Sequence, residues 1–214
     1  MPTRLTPPLA GNAPIRVILL LVAFISVGGC SQNVGGQLTT RSLTDSPVAL
    51  QAWYTTAVYG HTDSRGTTFI VSDRPTSELL DGSIRDGQVV HLHLLWRPKA
   101  GSTPMDSTAT NVSIRQVVFS DGQIGVYGGA GFATVQGTPG EDLMTLTVKE
   151  ASQELLDSTP GFVDPLSPAR LTGKVTAEQD LLRTRRLYFN VSQVVTDALG
   201  RSRFVFAGPE PGTS

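Results

Sequence analysis

The sequence predicts a mostly β chain, an antiparallel sandwich or barrel carrying one or two short helices. Three observations predict it. Apolar residues recur at period two from residue 48 onward, turn dipeptides separate the runs, and no long helical repeats alternate with them as a parallel α/β sheet requires. With 22 Gly, 14 Pro and only 16% charged residues among 214, the composition also calls for many turns.

The elements follow in order. Trp53, Thr55, Ala57 and Tyr59 share one side of a strand that ends near His61. A turn at Asp63-Ser64-Arg65-Gly66 leads into 67–72, so the two runs form a hairpin. Residues 75–80 (PTSELL) predict one helical turn, and Asp81-Gly82 and Asp86-Gly87 are turn dipeptides. Residues 88–96 are the clearest strand, with Val90, Leu92, Leu94 and Trp96 on a buried face. Val89, His91, His93, Leu95 and Arg97 make the other face, mixed in character and half wet. Residues 111–119 follow a polar, Pro-containing loop, and Asp121-Gly122 joins them to 123–127 in the strongest hairpin signal of the chain. Residues 143–148 alternate, while 150–156 (EASQELL) favour a short helix that breaks before Pro160-Gly161. Leu171, Gly173, Val175 and Ala177 oppose Thr172, Lys174, Thr176 and Glu178 in a one-sided strand. Residues 186–195 (RLYFNVSQVV) read as a strand paired through 197–200 with 202–207, a helix over 178–196 being the competing reading.

The amino terminus is of a different kind. Residues 1–16 carry Arg4 and Arg16 and no acid; Val17 to Val27 (VILLLVAFISV) is uncharged and apolar; Gly28-Gly29-Cys30 follows. A spanning helix needs about 20 apolar residues, so this run is too short to cross a bilayer. A basic start, a short apolar stretch and small residues before a cut describe a signal peptide.

Val27-Gly28-Gly29-Cys30 resembles the lipobox of bacterial lipoproteins, an aliphatic residue and two small ones directly before cysteine. The resemblance implies that diacylglycerol alkylates the Cys30 thiol, that the signal peptidase cuts before it, and that the freed amine is acylated as well, with palmitate. It also implies a cell-envelope location; because Ser31 rather than aspartate follows the cysteine, the outer membrane is the favoured one. Two or three acyl chains hold stably where one binds only reversibly. The expected organisation is a signal peptide over 1–29, lipidated Cys30 with a flexible tether over 30–47, a single β domain over 48–208 and a frayed tail over 209–214. Cys30 is the only cysteine, so the fold has no internal disulfide.

Charge narrows the function classes. Removing residues 1–29 deletes two arginines and no acid, which takes the formal net charge from −1 to −3. A nucleic-acid binder should instead show a basic excess.

Candidate chemistry rests on few residues. His91 and His93 stand at i and i+2 on one strand face, and His61 lies at the end of an earlier strand. Three neutral imidazoles around an open position can hold zinc or copper, and zinc so held activates water. The His-x-His strand of cupins is similar, but there a glutamate follows closely and another histidine comes later; here 94–99 contain no acid and no histidine follows His93. The alternation fits a half-wet strand face better. Gly125, Gly128, Gly129 and Gly131 sit inside a strand pattern, with neither the third glycine nor the helix of a dinucleotide loop, and so mark bends. His61, Asp63 and Ser64 are neighbours in a turn and cannot line up as a triad, and Asp73, Asp81, Asp86 and Asp121 are turn aspartates of the kind that cap backbone. Arg183, Arg185 and Arg186, with Arg201 and Arg203, could make a basic patch for lipid phosphates or anionic polysaccharide. A barrel pocket lined by Trp53, Tyr59 or Trp96 would instead take a small apolar or glycan ligand. The leading expectation is a non-enzymatic structural or interaction module that meets an envelope protein or polysaccharide; the alternative is a metal-binding protein or metal-dependent enzyme using His61, His91 and His93.

Overall fold

The computed structural model describes residues 34–62, 66–98 and 109–204. Their elements are β1 (Gly35–Ser42), β2 (Ala49–Tyr54), β3 (Thr56–Thr62), β4 (Gly66–Ser72), α1 (Thr76–Asp81), β5 (Gly87–Leu94), β6 (Val112–Ser120), β7 (Gln123–Gln136), β8 (Leu143–Ser158), β9 (Ala169–Gln179) and α2 (Leu181–Leu199). The signal peptide and Cys30, like the 209–214 tail, lie outside the described residues.

The strands form one sheet in the order β2-β1-β9-β3-β4-β5-β6-β7-β8, and β8 pairs back onto β9. That last pairing closes the sheet into a barrel, while β2 stays paired on one side only, with β1. The closure has an unusual seam. One side of β9 carries β8; the other carries β1 from Gly35↔Thr176 to Ser42↔Ala169 and, past the start of β1, two parallel pairs with β3. Every other pairing is antiparallel. Only Thr55 separates β2 from β3, so one bent strand lies against β1 at one end of the barrel and against β4 at the other.

Connections define two rims. At the near rim β9 ends, and β3/β4, β5/β6 and β7/β8 are joined, while β1 begins short of it, level with Thr176; the far rim carries the β1/β2, β4/β5, β6/β7 and β8/β9 connections. Side chains of alternate residues fill the barrel interior, among them Leu38, Tyr59, Phe69, Leu92, Ile114 and Leu146. A second core, including Val58, Ile70, Val89 and Val117, lies on the outer wall beneath Leu187, Val191 and Val195 of α2. A third, Tyr127 and Leu166 with Phe162, plugs the far rim, where the Tyr127 hydroxyl donates to Asp164 Oδ1 at 2.7 Å.

Three expectations are corrected. Residues 186–195 lie within α2, a 19-residue helix in place of the predicted hairpin. Its start is set by Asp180, whose Oδ1 accepts from Arg183 N at 2.8 Å, and its end by Gly200 at φ 69°. Thr184, Leu187, Val191 and Val195 bury one face at helical spacing, so the stripe outweighs the β-branched composition. Residues 150–156 belong to β8 although they are good helix formers, because β7 and β9 pair with the strand on its two sides. The tether is the third. Gly35–Ser42 is strand β1, and Val34 already packs against the interior core. Of the pair predicted at 202–207, residues 202–204 are not strand, and the remainder lies outside the described residues.

Candidate functional site

The histidines are separated by the sheet itself. His61 on β3 is registered with Thr67, and Thr67 with Leu94, an interior core residue; His61 Nδ1 lies 3.0 Å from Thr67 Oγ1. His91 and His93 alternate with Leu92 and Leu94 on β5 and therefore point through the outer wall. The barrel wall thus stands between His61 and the other two, and the three imidazoles do not converge. Among the described residues no group of three or more His, Cys, Asp or Glu side chains is placed to hold a metal ion.

The outer face of β5 is also drier than the alternation suggested. His91 and His93 are 2% and 4% exposed. The His91 ring lies 5.4 Å from Tyr188 of α2 and 5.6 Å from Phe204, and His93 Nδ1 is 3.1 Å from Thr68 Oγ1. Burial, then the neighbouring charges of His93 and Arg115, push the His91 imidazole down to about 3, and burial lowers His93 too. The pair is a neutral part of the second core, and the helix that makes it so is the one the sequence pattern presented as a strand.

The arginines divide in the same way. Arg183 pairs with Glu178 and Asp180 at the near-rim end of α2. Arg201 and Arg203 both bind Asp157 and hold its carboxyl below the usual range. A 19-residue helix, about 28 Å long, separates the two groups, so no single patch joins them. Arg185 and Arg186 are exposed and have no ion pair among the described residues. The turn aspartates engage backbone: Asp73 accepts from Gln88 N, Asp86 from Asp121 N and Asp81 from Ser83 N.

Polar groups do enter the barrel, at a place the sequence did not mark. Thr40, Gln88, Gln116 and Gln153 are all buried and linked. Thr40 Oγ1 donates to Gln116 Oε1 at 2.9 Å, Gln153 Nε2 donates to the same oxygen at 2.6 Å, and Gln116 Nε2 donates to Gln88 Oε1 at 2.7 Å. Removing the hub should therefore strand its neighbours: Gln116→Leu is expected to lower stability by about 2–3 kcal/mol despite its apolar replacement, read from urea unfolding midpoints. Beyond this row, at the far rim, opens a cleft of about 270 Å³ lined by Val48, Leu50, Gln88, Phe162, Val163 and Asp73. Burial raises the pKa of the Asp73 carboxyl. Trp53, Tyr59 and Trp96 do not line this cleft: Tyr59 is inside the core, and the two tryptophans are on the outer surface.

No protein-family model, curated protein or solved structure matches this chain. The sequence missed the glutamine row because its strands were read for apolar alternation, and Gln88, Gln116 and Gln153 occupy inward positions with polar side chains. A signal was present: each stands in phase with inward apolar residues two positions away, Val90, Ile114 and Ala151.

Proposed function

We propose that this chain is an envelope lipoprotein, held on a membrane, by preference the outer one, through lipid on Cys30, and that its barrel is a non-enzymatic module for contact with an envelope protein or polysaccharide. The Val27-Gly28-Gly29-Cys30 motif at the end of a short apolar run carries the anchor. Support for the module reading comes from the barrel interior, which is filled by side chains such as Tyr59, Phe69 and Leu146 rather than shaped around a substrate. A nucleophile beside an oriented base is what catalysis would add, and His91, buried between Tyr188 and Phe204, has the surroundings of a core residue instead. No helix among the described residues is long and apolar enough to cross a membrane. The attachment in this reading is the covalent lipid.

The test is direct. Mass spectrometry of the protein from its native membrane should find Cys30 as the first residue, with diacylglycerol on sulfur and an acyl chain on nitrogen. Cys30→Ser should abolish cleavage and lipid labelling. An unmodified Cys30 on a membrane-bound protein would overturn the anchor.

A further inference from the structure

The inner wall of the barrel ends at the far rim in a layer unlike those beneath it. Nearer the middle, register places Phe69, Leu92 and Ile114 side by side, all fully buried. In the last layer register runs from Gln88 to Val118 and from Val118 to Gly125, and Asp73 follows β4 beside Gln88, whose N–H it accepts at 2.8 Å. One position there is a glycine and another a carboxylate, and the packed interior gives way to the cleft of about 270 Å³. The mouth of a barrel is a common place for a small ligand.

The walls of this mouth are fixed in place. Phe162, from the β8/β9 connection, lies where a Cβ on Gly125 would run into its ring, and its edge faces Tyr127 at 6.4 Å between centroids. The connection is pinned by Asp164 Oδ1, which accepts from the Tyr127 hydroxyl, Leu166 N and Ser167 N. Leu50 and Val118 complete an apolar wall.

Packing does not account for the carboxyl. Asp73 is half-buried, and Gly87 at φ 113° makes room for it, since a Cβ there would lie 2.6 Å from Asp73 Oδ1. The neighbouring Arg74 bonds instead to Glu78, through Nε at 2.8 Å and Nη2 at 2.9 Å, and Asp73 has no salt bridge among the described residues. Capping the Gln88 N–H needs only a neutral oxygen. A charge in an apolar mouth adds a desolvation cost, visible in the raised pKa of this carboxyl, which a cation carried by a ligand would offset.

We infer that the far-rim cleft binds a small organic amine, its apolar body against Leu50, Val118 and Phe162 and its ammonium on the Asp73 carboxylate. Volume sets the size: about 150 Å³ holds benzene, so this cleft takes one aromatic ring with a short chain. The head group follows from the wall, because a carboxylate only accepts and an ammonium brings three donors and the opposite charge. Ligand capture goes beyond contact with an envelope partner, and it does not depend on lipid at Cys30.

Fluorine NMR provides the test. Full-length protein in nanodiscs of zwitterionic lipid is titrated with para-fluorophenethylamine and, as its neutral match, para-fluorophenethyl alcohol; empty nanodiscs correct for partition into lipid. The amine should bind saturably and about tenfold more tightly than the alcohol. Asp73→Asn, which keeps an oxygen for the Gln88 N–H, should erase that preference and leave the alcohol unchanged. Phe162→Ala should weaken both probes. Val163 lines the same cleft and is 81% exposed, so Val163→Arg does not put the fold at stake. Its added cation should weaken the amine more than the alcohol. Equal wild-type affinities for the two probes, or a preference that survives Asp73→Asn, would overturn the assignment, as would the absence of saturable binding by either probe.

Discussion

Lowering the pH from 7 to 5 is expected to cost this barrel about 2 kcal/mol through His91 alone, with a further contribution from His93. Both imidazoles are held neutral by burial, His91 at about 3 in the folded chain against 6.5 in the unfolded one. Between those values the unfolded chain binds more protons than the folded one, so stability falls as pH falls and is fully retained only above about 6.5. Most carboxylates titrate below this window, which makes the slope between pH 7 and 5 a histidine property. The consequence is local as well as global. Protonated His91 would lie between Tyr188 and Phe204 with Arg115 nearby, and the cheapest relief is for α2 and the segment around Phe204 to lift off the wall, exposing Val58, Ile70 and Val89. Urea unfolding at the two pH values should show the loss, and His91→Leu should remove most of the slope even if it changes stability at pH 7. An identical slope in the two proteins would show that the imidazole is not the group being titrated.

The same helix marks the boundary of what the sequence could convey. The β class, the hairpin through Asp121-Gly122 and the strands around residues 88–96 and 171–177 were legible because period-two alternation is local and the turn residues are adjacent. Asp121 and Gly122 both have positive φ, as the hairpin signal requires. Closure was not legible, since the β8–β9 and β1–β9 pairings depend on register between distant segments. Strand β1 offered a single large apolar residue, Leu38, and its other inward positions, Thr40 and Ser42, are satisfied by partners far away or by a loop, so the segment looked like a tether. The candidate metal site shared this weakness. Two histidines at i and i+2 do share a face, but which face His61 takes depends on the β3/β4/β5 register, and that register sends it inward. The arginines were misgrouped for the reason α2 was misread: a presumed hairpin brought together residues that a helix holds apart.

Gly129→Ala is expected to destabilise the barrel by about 3 kcal/mol, one methyl group having an effect usually associated with a core deletion. A Cβ at residue 129 would lie 1.9 Å from the backbone oxygen of Ser152 and 2.8 Å from Gln153 Cα, and at residue 131 it would lie 2.2 Å from Glu150 O. These obstacles are backbone, so the added atom cannot be accommodated by turning a side chain; β8 itself must move away from β7. The glycines stand on the inward side of β7, opposite Gln153 and Ala151, close to the register shifts at Phe132/Ala133 and Val148/Ala151 where β7 and β8 bend. They let two long strands approach closely enough to curve, which is how the wall turns toward β9. Gly122→Ala provides the scale: nothing lies within 4 Å of a Cβ there, and the only cost is the left-handed backbone at φ 74°, about 1–2 kcal/mol. Measured midpoints should therefore rank Gly129→Ala below Gly122→Ala. Equal midpoints would mean that β7 and β8 can separate freely, and the glycines would then need a reason other than closure of the barrel.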